Sequence, residues 1–525
     1  MQRSSIPTEQ QHFDLLVCGG GIYGAWTAYD AALRGLKVII VEQGDWASGT
    51  SSASSKLIHG GLRYLETMDF GVVKKSLTER QLLINAAPYR VWPLRFGVPV
   101  KQDSRIGALR LKIGLSIYDF LAGSFHSQQT HQRFNADEFL QRFSCLDNTG
   151  LNSGFTYLDA QTDDARFVLE IIDGACAAGA TCLNYCQVVE ILEQNGVITG
   201  AILKDKMSVK QHEIKASAMV KTTGQWLSSS YPEKKWCRLS KGIHLILPKV
   251  LENEALLLTA KTDGRVFFVI PWYGKTLLGT TDTNFDGNIN DVTVKKGDID
   301  YLLSEVNFAL TTQWTEKDIQ GQFAGLRVLQ HSPKSSPSSV TREWELKKEK
   351  NGLFFSIGGK LTSSREDAAT IVNTVSEYLE KKNTSKTKAM PFPWMPKGDF
   401  NDWWQQKTDK ASSLGIDTES TLWLLRRHGK HVDQIFQSIE QDQQLGQRIT
   451  ATVALIVADL LFCLKHEMVF HLEDLLRRRL PLLILYRMTK TELIQFAEIS
   501  AKILGWDQNK LNQEVEFCTK KWLLD

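Results

Sequence analysis

The segment FDLLVCGGGIYGAWTAYDAALRGLKVIIVE, residues 13–42, constrains the fold more than any other part of the chain. Residues 13–18 are a short apolar run, and residues 22–33 carry apolar side chains at helical spacing. Gly35 ends that helix, and residues 37–42 form a second buried run. A strand, a helix and a parallel strand in this order are the unit of a doubly wound sheet. Gly19 permits the tight turn between strand and helix, Gly21 lets backbone approach a pyrophosphate, and Gly24 lets helix and strand close on each other. The helix N-terminus adds free N–H groups and the positive end of its dipole. Glu42 ends the second strand 23 residues beyond Gly19, where an acidic residue takes ribose hydroxyls. A glycine-rich packing turn is the alternative; strand, helix and acid together favour a dinucleotide.

Two later turns narrow the choice of dinucleotide. AMVKTTGQW is a strand that delivers Thr223 and Gly224, and FFSIGGKLTSS is a strand that delivers Gly358 and Gly359 to a helix start. A nicotinamide enzyme usually shows one glycine turn. Three of them, at the start, middle and end of one large domain, suit a flavin held along its length. A helix N-terminus beside Gly359 is placed to stabilise negative charge on the reduced ring.

At 525 residues the chain is long enough for two to four units. Residues 1–388 read as a cofactor domain with an interleaved substrate domain, whose segments fall near 85–150 and 230–345. Residues 389–401 mix proline and lysine without periodicity and read as a linker, and residues 402–525 read as helical throughout. Basic residues number 62 against 59 acidic ones, so no overall basic field marks a nucleic-acid partner. The eight cysteines are scattered without a C-x-x-C pair. Cys182 and Cys186 come nearest to a metal pair, and no histidine cluster completes them, so reduced thiols and no metal are expected. The N-terminal residues are polar, and the longest apolar stretch, 451–464, is too short to span a bilayer and contains Asp459. A cytoplasmic protein is expected, with membrane contact confined to a surface.

The substrate site has candidates at several places. TSSASSKLIHGGLRYLE, residues 50–66, packs serines, a lysine, a histidine and two glycines ahead of Arg63 and Tyr64. His244 sits in SKGIHLILP, Arg327 in FAGLRVL, Arg342 in SSVTREWEL, and Lys360 follows the last glycine pair. Each arginine alone reads as a solvated charge; their placement beside glycine turns and strand ends favours an anion site.

SSASSKLIHGGLRYLE, KGIHLILP, RVFFVIPWYGKTLLGTTD and GGKLT closely resemble the FAD-dependent glycerol-3-phosphate dehydrogenases, within the D-amino-acid-oxidase-like flavoproteins. The resemblance runs through nearly the whole chain, including KHEMVFHLEDLLRRRL near the C-terminus. It implies an α/β fold: a Rossmann-like FAD-binding domain, an inserted mixed β-sheet substrate (cap) domain, and an all-α C-terminal domain. It implies FAD held by Ser51, Ser52, Ser55, Lys56, His59 and Gly60, together with the glycine turns and Leu361 and Thr362. Arg63, Tyr64, His244, Arg327, Arg342 and Lys360 match positions of the glycerol phosphate pocket. The implied reaction oxidises sn-glycerol 3-phosphate to dihydroxyacetone phosphate, with His244 as base for the C2 hydroxyl, and Lys360 or Arg327 stabilising the alkoxide. A structural histidine bonded to backbone is the other reading of His244. The family passes electrons to quinone at a membrane, so quinone is the expected acceptor, with a soluble acceptor or oxygen as the alternative. RIGALRLKIGLSIYDFL, residues 105–121, reads either as an interfacial helix or as a core helix with snorkelling basic side chains. The oligomeric state is open, a homodimer being one candidate.

The sequence departs from the family pattern in four places. Val328 stands where proline is expected, and Gln225 likewise. The loop QHSPKSSPSSV around Ser335 is rich in serine and lysine, and Ser363, Ser364, Arg365 and Glu366 replace threonine, tyrosine, arginine and lysine. Two further readings therefore stand beside the first. One is an oxidase or dehydrogenase of the same superfamily acting on another, larger phosphorylated hydroxy compound or an amino compound. The other is a flavin-binding protein without turnover.

Overall fold

The computed structural model describes residues 1–123, 129–234, 236–330 and 344–524. Arg342 and Ser335 lie outside the described residues.

The cofactor sheet follows from runs that are apolar on both faces. Leu15–Cys18 and Val38–Val41 are buried on either side, as parallel strands covered by two layers must be. The sheet order is Trp344–Lys348, Leu353–Gly358, Met219–Lys221, Leu15–Cys18, Val38–Val41 and Thr181–Leu183, parallel except at the first pair. Alternation then sorts the side chains. Leu15, Val17, Val38 and Ile40 pack under the helices Ile22–Leu33, Asp164–Ala177 and Ser364–Tyr378. Leu16, Ile39 and Val41 pack against a four-stranded sheet on the other face.

The second large sheet has ten strands. It is assembled from Leu57–Ile58, Val91–Lys101, Gln132–Asn135, Leu151–Thr162, the five strands between residues 237 and 285, and Gly321–Gln330. Leu57–Ile58 belongs to the serine-rich stretch, so the cofactor loop is stitched directly into this sheet.

The C-terminal unit is helical, with one departure from a purely helical reading. Arg448–Thr450 and Val453–Ile456 form a two-stranded hairpin within the apolar stretch. Ile449, Thr450, Thr452, Val453 and Ile456 are β-branched and lose side-chain freedom in a helix, which favours strand here. The unit shares its core with the ten-stranded sheet: Leu455, Leu475 and Ile484 join Trp92, Ile246 and Phe323 in one cluster. A buried ionic seam reinforces the junction. Arg166 pairs with Glu467, and Arg427 with Asp459, while the Arg427 carbonyl accepts from Arg90 and Arg166. His428, Asp459 and Cys463 bring ligand-type atoms within 4.8 Å of one another. Arg427 already donates to Asp459 there, and the guanidinium charges disfavour a cation. No helix among the described residues is long and apolar enough to cross a membrane.

Candidate active site

Two adjoining cavities, of about 500 and 740 Å³, run from the first glycine turn into the ten-stranded sheet. His59, Tyr64, Arg327 and Lys360 line both and mark their junction.

The smaller cavity is a dinucleotide cradle. Gly21 caps the helix Ile22–Leu33 with extended backbone and no side-chain cap, so the first helical N–H groups face the cavity. Ser51 Oγ accepts from the Ile22 N–H at 3.0 Å. A Cβ on Gly24 would collide with the Gly19 carbonyl, and one on Gly19 would come within 2.7 Å of the Thr222 carbonyl. Close approach therefore requires glycine at both positions. Glu42 lines the cavity and accepts from the N–H groups of Gly20 at 2.6 Å and Gly44 at 2.8 Å. Burial raises its pKa; each oxygen keeps a lone pair for a ribose hydroxyl. Thr223, Gly224, Gly358, Gly359 and Leu361 line the far wall. Gly359 has φ +102°, and a Cβ there would strike the Tyr23 hydroxyl, which accepts from the Lys360 N–H at 3.0 Å. N–H donors at a helix start, an acceptor carboxylate at the ribose position and a long wall of glycine turns fit the needs of FAD.

The larger cavity brings His244, Arg327 and Lys360 into one lining. His244 lies on Cys237–Leu247, opposite Gly279 on one neighbouring strand and Phe323 on the other. A Cβ at Gly279 would overlap the imidazole, so glycine admits the ring. Phe323 stacks on it with centroids 4.9 Å apart, and Ser55 Oγ lies 2.9 Å from Nε2. Nδ1 is buried without a partner among the described residues. Burial, with the Arg327 and Lys56 cations nearby, holds the pKa well below the usual histidine value. Arg327 is held by the Thr280 hydroxyl at 2.8 Å, the Thr281 carbonyl at 3.0 Å and the Asp282 carboxylate at 3.4 Å. Lys360 Nζ lies 3.7 Å over the Tyr64 ring, and Arg63 and Thr362 also line this cavity. A neutral imidazole beside two or three cations suits proton removal from an anionic hydroxy compound.

The structure separates the residues of the serine-rich stretch. Ser51, Ser55 and His59 line the cavities. Ser52, Lys56 and Gly60 are buried behind the wall. Lys56 Nζ pairs with Asp164 and donates to the Ser52 carbonyl, so its charge is compensated inside the protein. The Gly60 N–H donates to the Tyr118 hydroxyl and to Asp159. Gly24 serves helix packing. Sequence reasoning missed Asp164, Asp282, Tyr23 and Phe323. Asp282 ends the quoted GTTD motif; nothing local in the sequence marks the others.

Residues 14–363 match the family of FAD-dependent oxidoreductases, and residues 386–511 match the C-terminal domain of alpha-glycerophosphate oxidase. An aerobic glycerol-3-phosphate dehydrogenase of Staphylococcus aureus is 33% identical over 484 residues, covering 89% of this chain and 86% of that protein. The crystal structure of a glycerol-3-phosphate dehydrogenase from Bacillus halodurans complexed with FAD superposes with a TM-score of 0.79. It is 27% identical, and the match covers 98% of this chain and 95% of that one. An L-alpha-glycerophosphate oxidase from Mycoplasma pneumoniae, 18% identical, shares the fold over 72% of this chain and 97% of its own, with a TM-score of 0.57.

Proposed function

The chain belongs to the family of FAD-dependent glycerol-3-phosphate dehydrogenases, and on that footing we propose how its own residues perform the reaction. The enzyme oxidises sn-glycerol 3-phosphate to dihydroxyacetone phosphate. Bound FAD supplies the acceptor for the hydride that leaves C2. The helix start at Gly21, Glu42 and the Gly358 and Gly359 turn hold the cofactor along the smaller cavity. Arg63, Arg327 and Lys360 neutralise the phosphate and orient the hydroxyl, and Arg342 is a further candidate for that set. His244 takes the hydroxyl proton. Its depressed pKa leaves it unprotonated at neutral pH, and Ser55 fixes the plane of the ring. The observation that carries the reading is this His244–Ser55 pair sharing the larger cavity with Arg327 and Lys360.

Electrons then pass to a quinone, with the protein bound peripherally to a membrane. The helix Ala108–Ala122 supports this second part: Leu109, Ile113 and Phe120 share one face and are 74%, 54% and 70% exposed, with Met68 at 75% beside the same cavity. Arg110 and Lys112 are exposed on the same helix. A core helix would bury such a face; an interfacial helix presents it to lipid with basic residues alongside.

Anaerobic mixing of the holoenzyme with glycerol 3-phosphate tests the reaction. Rapid loss of oxidised-flavin absorbance supports it, and bound FAD that stays oxidised overturns it.

A further inference from the structure

The C-terminal unit reaches the cofactor loop through three consecutive arginines. Asp474–Arg479 winds as one π-helical turn, a geometry that recurs at functional sites. Arg477, Arg478 and Arg479 are all buried there. Arg478 Nε donates to Asp45 at 2.5 Å, and Arg479 grips the same carboxylate with both terminal nitrogens. Seven residues further along the loop, Arg477 Nη2 donates to the Ser52 carbonyl at 3.1 Å. The triplet thus holds two points of the loop that lies between Glu42 and Ser55.

The second point leads to the reacting centre. The Ser52 carbonyl also accepts from Lys56 Nζ at 2.8 Å. Lys56 pairs with Asp164, whose other oxygen accepts from the N–H and hydroxyl of Ser54. Arg477 and Lys56 each lie 5.2 Å from the Phe323 ring centroid, and Phe323 stacks on His244. Arg478 and Arg479 each have a carboxylate. Arg477 has the Ser52 carbonyl as its one hydrogen-bond acceptor among the described residues, and its Nε is buried without a partner. A buried guanidinium so thinly satisfied costs stability, so packing alone does not account for it.

We infer that Arg477 is a positioning residue: the C-terminal unit uses it to fix the Ser52 carbonyl and the Phe323 ring, and through them the alignment of Ser55 with His244. This rests on the reading of His244 and Ser55 as the site of proton removal. The role of the C-terminal unit is then to hold the cofactor loop in register with the base.

The test compares wild-type, R477M and R477K holoenzymes. Methionine keeps contact with Phe323 but cannot donate; lysine can still reach the carbonyl. At saturating glycerol 3-phosphate, flavin bleaching in R477M is expected to slow about tenfold, the loss of one charged hydrogen bond. Half-saturation should stay within about twofold and FAD occupancy should not change, and R477K should recover most of the rate. Amide exchange should speed up in residues 50–56 of R477M while the C-terminal helices stay protected. A wild-type bleaching rate in R477M overturns the inference, as does exchange that rises across the whole C-terminal unit. If the wild-type enzyme itself does not bleach, that failure belongs to the reaction, and exchange in residues 50–56 still decides the clamp.

Discussion

Ser55 Oγ and His244 Nε2 lie 2.9 Å apart although 189 residues separate them in sequence. One comes from the loop that follows the first glycine turn, the other from a strand near one end of the ten-stranded sheet. Their contact joins the loop after the first glycine turn to the ten-stranded sheet, at the point where the proposed mechanism moves a proton.

Replacing His244 with alanine should slow flavin reduction about a hundredfold or more at saturating substrate, the range of a positioned general base. Substrate half-saturation should change little. Stopped-flow reduction of the holoenzyme measures both, and an unchanged rate removes His244 from the role. In wild type the depressed pKa keeps the imidazole neutral. The reduction rate should therefore stay level as pH falls through 6.5, where a free histidine titrates, and drop only in more acidic solution.

Lys360→Met should raise the half-saturating concentration of glycerol 3-phosphate by roughly ten- to a hundredfold, since a charged hydrogen bond is worth about 1.5–3 kcal/mol. It should leave FAD affinity nearly intact. A fall in flavin content with no change in half-saturation would assign Lys360 to the cofactor.

Gly359→Ala should weaken FAD binding. The backbone there has φ +102°, and the new methyl group would displace the Tyr23 hydroxyl. The cost of such strain is about 1–3 kcal/mol, so gel filtration in dilute solution should yield a largely flavin-free fraction.

Leu109→Asp combined with Phe120→Ser should abolish co-sedimentation with anionic vesicles and leave reduction of a water-soluble dye unaltered. Raising salt should weaken binding of wild type as well, because exposed lysine and arginine lose their attraction to the surface. Equal sedimentation of both proteins would place any membrane contact elsewhere.

Stability should fall as pH drops below about 6.5. His428 is pushed down to about 4 by burial, despite the adjoining Asp459. Between those values the unfolded chain binds the proton and the folded protein does not, so unfolding is favoured by acid. His244 adds in the same direction. His471 opposes them: burial lowers its pKa, but the Glu514 carboxylate more than offsets this. Urea midpoints at pH 7, 5.5 and 4.5 measure the balance, and a midpoint that rises toward acid would contradict it.

The residues 13–42 announced the cofactor sheet because local periodicity and glycine chemistry are short-range signals. His244, Arg327 and Lys360 were visible as polar residues set among glycines and apolar strands, and the structure gathers all three in the lining of the larger cavity. Lys56 shows what such reading leaves out. Its neighbours all pointed to cofactor, yet its partner Asp164 lies 108 residues away, and no local pattern reveals an ion pair across that separation. The hairpin in residues 448–456 was obscured by its place among helices, although its β-branched residues carried the signal. Leu109, Ile113 and Phe120 left two readings open because periodicity gives a helix an apolar face without saying what covers it.

The interleaving of the two sheets bears on how the chain reaches this structure. Leu15–Cys18 waits for Met219–Lys221, which in turn waits for Leu353–Gly358. Val91–Lys101 waits for Glu254–Thr259. Leu15–Cys18 and Val91–Lys101 find their first partners early, in Val38–Val41 and Leu151–Thr162, but one edge of each stays open until the later strands emerge. Such long-range pairing is slow and exposes nascent chains to aggregation. Yield in a heterologous host should therefore respond to translation speed and chaperone supply more than to the stability of the finished enzyme.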